Sequence, residues 1–199
     1  MTGVLVAKIL KSLERYYEAS AEDVAPFVRA HEGDDAREAL LLKQDDDGVE
    51  MALLLPERVT KLAWRDWTTL SLDDRCQIIE GASHFLVVCE RARSERPTTH
   101  LELELQAEVD KWLVLSQGGR LDPDDDAALR VALFDDGEFL HDAGSEHGER
   151  YRLANNLAAR FVRKLSHLFA RRGRHAEMRQ ALARFFRMSQ EEKLRAIAA

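Results

Sequence analysis

The sequence predicts a mainly α-helical fold, a helical bundle carrying one β-hairpin near residues 38–56. Three observations lead there. Apolar residues recur at helical spacing over most of the chain. Two apolar runs, REALLLKQ and GVEMALLLPE, flank the turn signal DDDG. The four prolines, Pro26, Pro56, Pro97 and Pro123, stand far apart, as stops between elements. With 199 residues, 45% of them apolar and 33% charged, the chain can bury a proper core and is too apolar to be disordered. It reads as a single domain spanning 1–199.

The elements follow in order. Within residues 2–18, Val4, Ile9, Leu13, Tyr16 and Tyr17 keep helical spacing and make an amphipathic first helix. Ser20 with Asp23 three positions on reads as the start of a second short helix. The polar loop HEGDDA leads to the hairpin, which Pro56 ends. Leucine-rich strands carry little β-propensity, so the Asp47-Gly48 turn is the stronger half of that prediction. KLAWRDWTTL, with Trp64 and Trp67, predicts a short helix or an irregular connection.

Ser71, backed by Asp73 and Asp74, opens the helix LDDRCQIIEGASHFLVVCERAR, which ends before Pro97. Its FLVVC segment is apolar on all sides, which predicts a central position. Thr98 or Thr99 opens THLELELQAEVDKWLVLSQ, and Gly118-Gly119 stops it. LELEL alternates like a strand, but Glu, Leu, Gln and Ala are strong helix formers and the segment exceeds a usual strand length. Residues 71–117 are therefore expected to form a central helix pair, antiparallel across the short RSERPTT connection. Asp122-Pro123 caps the short helix AALRVALF. The loop DDGEFLHDAGSEHG leads to the longest helix, ERYRLANNLAARFVRKLSHLFARR, which Gly173 breaks. AEMRQALARFFRM and SQEEKLRAIA complete the chain.

Within IIEGASHF, Glu80 and His84 lie four residues apart and so share a helix face. On a wheel of about 100° per residue with Glu104 at zero, Glu108 falls at about 40°, between Leu115 and Leu101. Glu102 falls between Val109 and Leu113. These carboxylates are embedded in an apolar arc, where each needs a partner or a proton. If the two helices pack side by side, Glu80 and His84 meet one of Glu102, Glu104 or Glu108. The expected site is thus a polar core cluster, or a ligand set, of Glu80, His84, Glu104 and Glu108.

Over residues 40–115 the order of a hairpin, a helix bearing EGASH, and a following acidic helix resembles the core of minimal zincin metallopeptidases. In that family the ligand helix reads HExxH. Here Glu80 stands for the first histidine and Gly81 for the catalytic glutamate. The resemblance implies a zinc-ligating role for Glu80, His84 and Glu108, without the general base that would activate a metal-bound water. LELELQAEVDKWL and YRLANNLAARFVRKL also resemble sequences of uncharacterised bacterial proteins, a likeness that implies no activity.

Other motifs fail. FLHDAG offers the His-Asp pair of HD-type phosphohydrolases, but no aspartate follows Asp142. DPDDD starts like a calcium loop, yet Ala127 and Leu133 stand where glycine and glutamate are required. His141, Asp142, Glu146 and His147 hold enough ligand atoms for an adventitious metal on a loop. Neither a phosphate-binding glycine motif nor G-x-S-x-G occurs.

The net charge of −7 is unevenly spread. Residues 150–199 hold 13 Lys/Arg against 3 Glu, a net of +10, and residues 1–149 carry −17. Arg163, Arg171, Arg172, Arg174 and Arg179 in these basic C-terminal helices are the expected partner-binding residues, since guanidinium groups suit carboxylate and phosphate forks. An acidic protein, or a second copy of the chain, is the favoured partner. Nucleic acid is a weaker alternative, given the acidic whole and the absence of a recognised binding motif. No run approaches 18 apolar residues, and the first residues lack the pattern of a signal peptide, so neither membrane nor export is expected. Cys76 and Cys89 point to nearly opposed faces of one helix and cannot bridge, which suits a reducing cytoplasm. These features point to a non-catalytic cytoplasmic interaction or regulatory protein with no cofactor, the zincin-like metal-binding reading standing second and nucleic-acid association third.

Overall fold

Helices form where the apolar spacing calls for them, and one small sheet forms around the hairpin, so the chain is mainly α with a small β element. The computed structural model describes residues 3–33, 36–45, 48–137, 142 and 144–198. It divides into two compact units, Met1–Arg96 and Pro97–Ala199. Pro97, the helix stop noted in the sequence, opens the second.

In the first unit, α1 (Val4–Tyr17) buries Leu5, Val6, Ile9, Leu10, Leu13 and Tyr17 on one face. That face packs on α3 (Leu72–Arg93), which in turn lies against the sheet. The Ser71 hydroxyl accepts the amide of Asp74 and caps α3 as its sequence requires. Strands β2 (Ala39–Asp45) and β3 (Gly48–Pro56) are antiparallel, in register from Ala39↔Leu54 to Asp45↔Gly48. Asp47 of the expected turn lies outside the described residues. Leu53 and Leu55, two apart and so on one face of β3, are buried. After β3, α2 (Glu57–Thr60) and a 3-10 turn at Trp64–Thr69 lead to α3.

The helix expected after Ser20 does not form. The chain makes only a 3-10 turn at Ala25–Phe27 and then enters β1 (Val28–His31), parallel to β3 and completing the order β1-β3-β2. Pro26 disfavours helix for the residue before it, and the Asp23 carboxylate takes the amide of Ala25. The open edge of β3 then offers the backbone a better set of hydrogen bonds than a single helical turn.

The second unit comprises α4 (His100–Leu115), α5 (Pro123–Arg130), α6 (Glu146–Leu168), α7 (His175–Arg187) and α8 (Gln190–Ala198). Thr99 caps α4 with Glu102 reciprocating, a capping box. The helix ends at Leu115 and the chain turns away through Gly118 and Gly119, both at positive φ; a side chain at Gly119 would also collide with Met178. Helix α4 packs along α6. Their junction is pinned by Asp126, which accepts from Trp112 Nε1 at 2.8 Å, Ser166 Oγ at 2.7 Å and Arg130 Nε at 3.1 Å. The aspartate run that imitates a calcium loop therefore supplies a helix cap at Asp122 and a core acceptor at Asp126. Phe161 and Phe185 stack at 3.9 Å between α6 and α7. Lys193 of α8 is buried, donating to Gln106 Oε1 at 2.8 Å with its ammonium 4.9 Å from the Phe185 ring. No described helix is long and apolar enough to cross a membrane.

Candidate metal centre and cationic surfaces

One polar row runs along the face of α3 turned to the sheet: Asp73, Gln77, Glu80 and His84, at helical spacing. The chain just before β2 is laid along this row and tied to it repeatedly. Arg37 makes a two-pronged contact with Asp73, both bonds 2.8 Å. Burial pushes the Asp73 carboxyl up, but Arg37, Gln77 and Arg58 together outweigh this and hold it below the usual carboxylate range. Gln77 donates to Asp73 at 2.8 Å and accepts the backbone N–H of Glu38 at 3.0 Å. Two members further along the row, the Glu38 carboxylate reaches His84, Oε1 to Nδ1 at 3.4 Å.

Glu38, Glu80 and His84 thus converge, one ligand atom from each lying within 4.8 Å of the others. The His84 and Glu38 side chains are only 8% and 5% exposed. Gly81 makes this possible. A Cβ there would stand 3.0 Å from Leu53 Cδ1 and 3.3 Å from Glu38 Cγ, so a larger residue would crowd α3 against β3 and against the Glu38 side chain. Two carboxylates held this close raise each other's cost of ionisation, and a cation between them removes it. One imidazole and two carboxylates suit zinc, manganese or ferrous iron. Ligands about 2.1 Å from a tetrahedral zinc stand about 3.4 Å apart, which is the spacing of Nδ1 and Oε1 already present.

The sequence identified two members of this cluster and missed the third. Glu80 and His84 do meet, but the acidic group that joins them is Glu38, from the segment preceding β2. Glu102, Glu104 and Glu108 lie on α4 of the second unit. Glu102 closes the Thr99 capping box, Glu104 is buried, and Glu108 accepts from Lys111 Nζ at 2.7 Å. The T-x-x-E pattern at Thr99 announced the first of these roles; nothing local announced Glu38. Among the described residues, Glu38–Glu80–His84 is the one group arranged to hold a metal. His141 of the loop set lies outside the described residues.

The arginines nominated from the sequence are all exposed. Arg163, on α6, and Arg171 and Arg172, just after it, enter no ion pair among the described residues. Arg174 pairs with Glu177 at 3.0 Å and lies 5.4 Å from the Phe169 ring. Burial, the largest influence, raises the Cys89 thiol above its ordinary range, and neither cysteine is bridged. No family model, curated protein or solved structure matches this chain.

Proposed function

We propose that the first unit binds one divalent transition-metal ion between Glu38, Glu80 and His84, in a protein that works by binding rather than by catalysis. The observation that carries this is the convergence of three ligand side chains from two separate segments, with one ligand atom from each within 4.8 Å of the others. The segment bearing Glu38 is held by Asp73 and Gln77 before any metal arrives, and such outer contacts are what orient ligands in metal sites. Two features support a non-catalytic role. Gly81 stands where a zincin would place its general base, and the near-complete burial of Glu38 and His84 leaves little room for a substrate. The two unbridged cysteines suit a reducing, cytoplasmic setting.

The test is elemental analysis of full-length protein purified without an affinity-tag metal, followed by calorimetric titration with Zn²⁺ and Mn²⁺. One ion per chain, lost in both His84→Ala and Glu38→Ala, is the expected result. Absence of metal, with no binding after reconstitution, overturns the reading.

A second reading, an interaction protein engaging an acidic partner through the second unit, is favoured by the exposure of Arg163, Arg171 and Arg172, which enter no ion pair among the described residues. Charge reversal at these three should abolish salt-sensitive retention on an immobilised polyglutamate column. Stronger retention on heparin or DNA would instead favour nucleic acid.

A further inference from the structure

The outward side of α1 forms the floor of a groove of about 880 Å³ in the first unit, remote in chemistry from the Glu38 cluster. Three cations line it, Lys8, Lys11 and Arg15; the Lys11 ammonium also pairs with the buried Glu14 carboxylate at 2.7 Å, though Lys11 itself remains exposed. The three cations recur at i, i+3 and i+7, so they form one row about 10 Å long on the helix. Beside the row lie the half-buried side chains of Val4 and Ala7 and the indole of Trp64, which is 42% exposed. Trp64 is held rigid: its ring stacks on Trp67 at 5.5 Å and 12°, and the Lys8 ammonium lies 5.2 Å from its centroid. A large aromatic left in water beside an apolar strip is a poor surface unless something covers it.

We propose that this groove docks an acidic amphipathic helix of a partner protein. The cationic row asks for carboxylates repeated every three to four residues, and the adjoining Val4–Ala7–Trp64 strip asks for aliphatic side chains one step round the same helix. An amphipathic helix delivers both at that spacing, with carboxylates and aliphatic side chains on adjoining faces. Rigid Trp64 supplies the apolar anchor, and the cations supply orientation and salt sensitivity. The inference does not rest on the metal centre, and it concerns a different surface from the arginines of α6 and the turn after it.

The test is fluorescence anisotropy of full-length protein with a fluorescein-labelled helical peptide carrying glutamates at i, i+3 and i+7 and leucines on the adjoining face. Binding should weaken at least tenfold in the Lys8→Glu, Lys11→Glu, Arg15→Glu triple variant and severalfold in Trp64→Ala. It should be unchanged in the Arg163→Glu, Arg171→Glu variant and in His84→Ala. Because Lys11 pairs with the buried Glu14, a Lys8→Glu, Arg15→Glu double variant that leaves this pair intact is measured beside the triple variant, and it should weaken binding severalfold while keeping the wild-type circular dichroism spectrum. Equal affinity of wild type and triple variant overturns the proposal, as does equal binding of a peptide with the same glutamates but serines for the leucines. Binding of a single-stranded oligonucleotide in the groove in place of the peptide would also overturn it.

Discussion

His84 Nδ1 stands 3.4 Å from Glu38 Oε1, two side chains 46 residues apart in sequence that meet over Gly81 on a buried face of α3. The contact joins α3 to the segment that leads into β2. It also makes the hairpin and the helix a single unit as far as any metal is concerned.

Metal binding should therefore appear as stability of the first unit. A ligand present at a hundred times its dissociation constant stabilises the native state by about 2.7 kcal/mol. Zn²⁺ should raise the thermal midpoint of the wild type and leave Glu38→Ala and His84→Ala unmoved. Calorimetric scans with and without metal check this, and coincident wild-type scans would dismiss the centre.

Gly81 should tolerate almost nothing larger. Alanine recovers about 1 kcal/mol of helix propensity, which the crowding against the buried Leu53 offsets. Valine adds two methyl groups to the same contact, and overpacking of this kind costs about 1–3 kcal/mol. Gly81→Val should lower the urea midpoint, and it should weaken metal binding through the displaced Glu38. A midpoint at or above that of the wild type would mean that α3 and β3 are not so closely packed.

Asp73 couples this face to pH. Its folded-state carboxyl lies below the ordinary range, so ionised Asp73 stabilises the fold above its unfolded pKa. That contribution is lost as pH falls through the folded value. Arg37→Ala removes the main partner, so the variant should lose stability at neutral pH and converge with the wild type in strong acid. The side chain is half exposed, so the effect will be small and salt-sensitive. Urea midpoints taken from pH 7 down to pH 2 test the convergence.

The cysteines should differ sharply. Cys89 is buried and its thiol is raised by burial, whereas Cys76 is partly exposed. A thiol-reactive disulfide reagent at neutral pH should label one site quickly in native protein and the second only on unfolding. Cys76→Ser should eliminate the fast phase; its survival in that variant would reverse the assignment.

Much of the fold was legible locally. Ser71, Thr99 and Asp122 cap the helices they precede, and the helix ends at Arg93 and Leu115 follow from Pro97 and Gly118-Gly119 just beyond them. Each is decided by neighbours within one turn, so a sequence reading reaches it. The pairing of β2 with β3 likewise joins two complementary runs that are neighbours in the sequence. The site was half legible. Glu80 and His84 share a helix face by spacing alone, but the expected third group was sought on the next helix, where Glu102 is a cap and Glu108 is satisfied by Lys111.

What the sequence by itself determined was the mainly helical class, the hairpin, the uneven charge, and the fact that Glu80 and His84 stand on one face. What only the tertiary structure decided was the parallel strand β1, the partition at Pro97, and Glu38 as the third member of the cluster. The physical reason is separation along the chain. Caps and periodicity are set by hydrogen bonds and side-chain spacing over a few residues, whereas β1 and Glu38 find their places only when distant segments compete for one strand edge and one buried helix face.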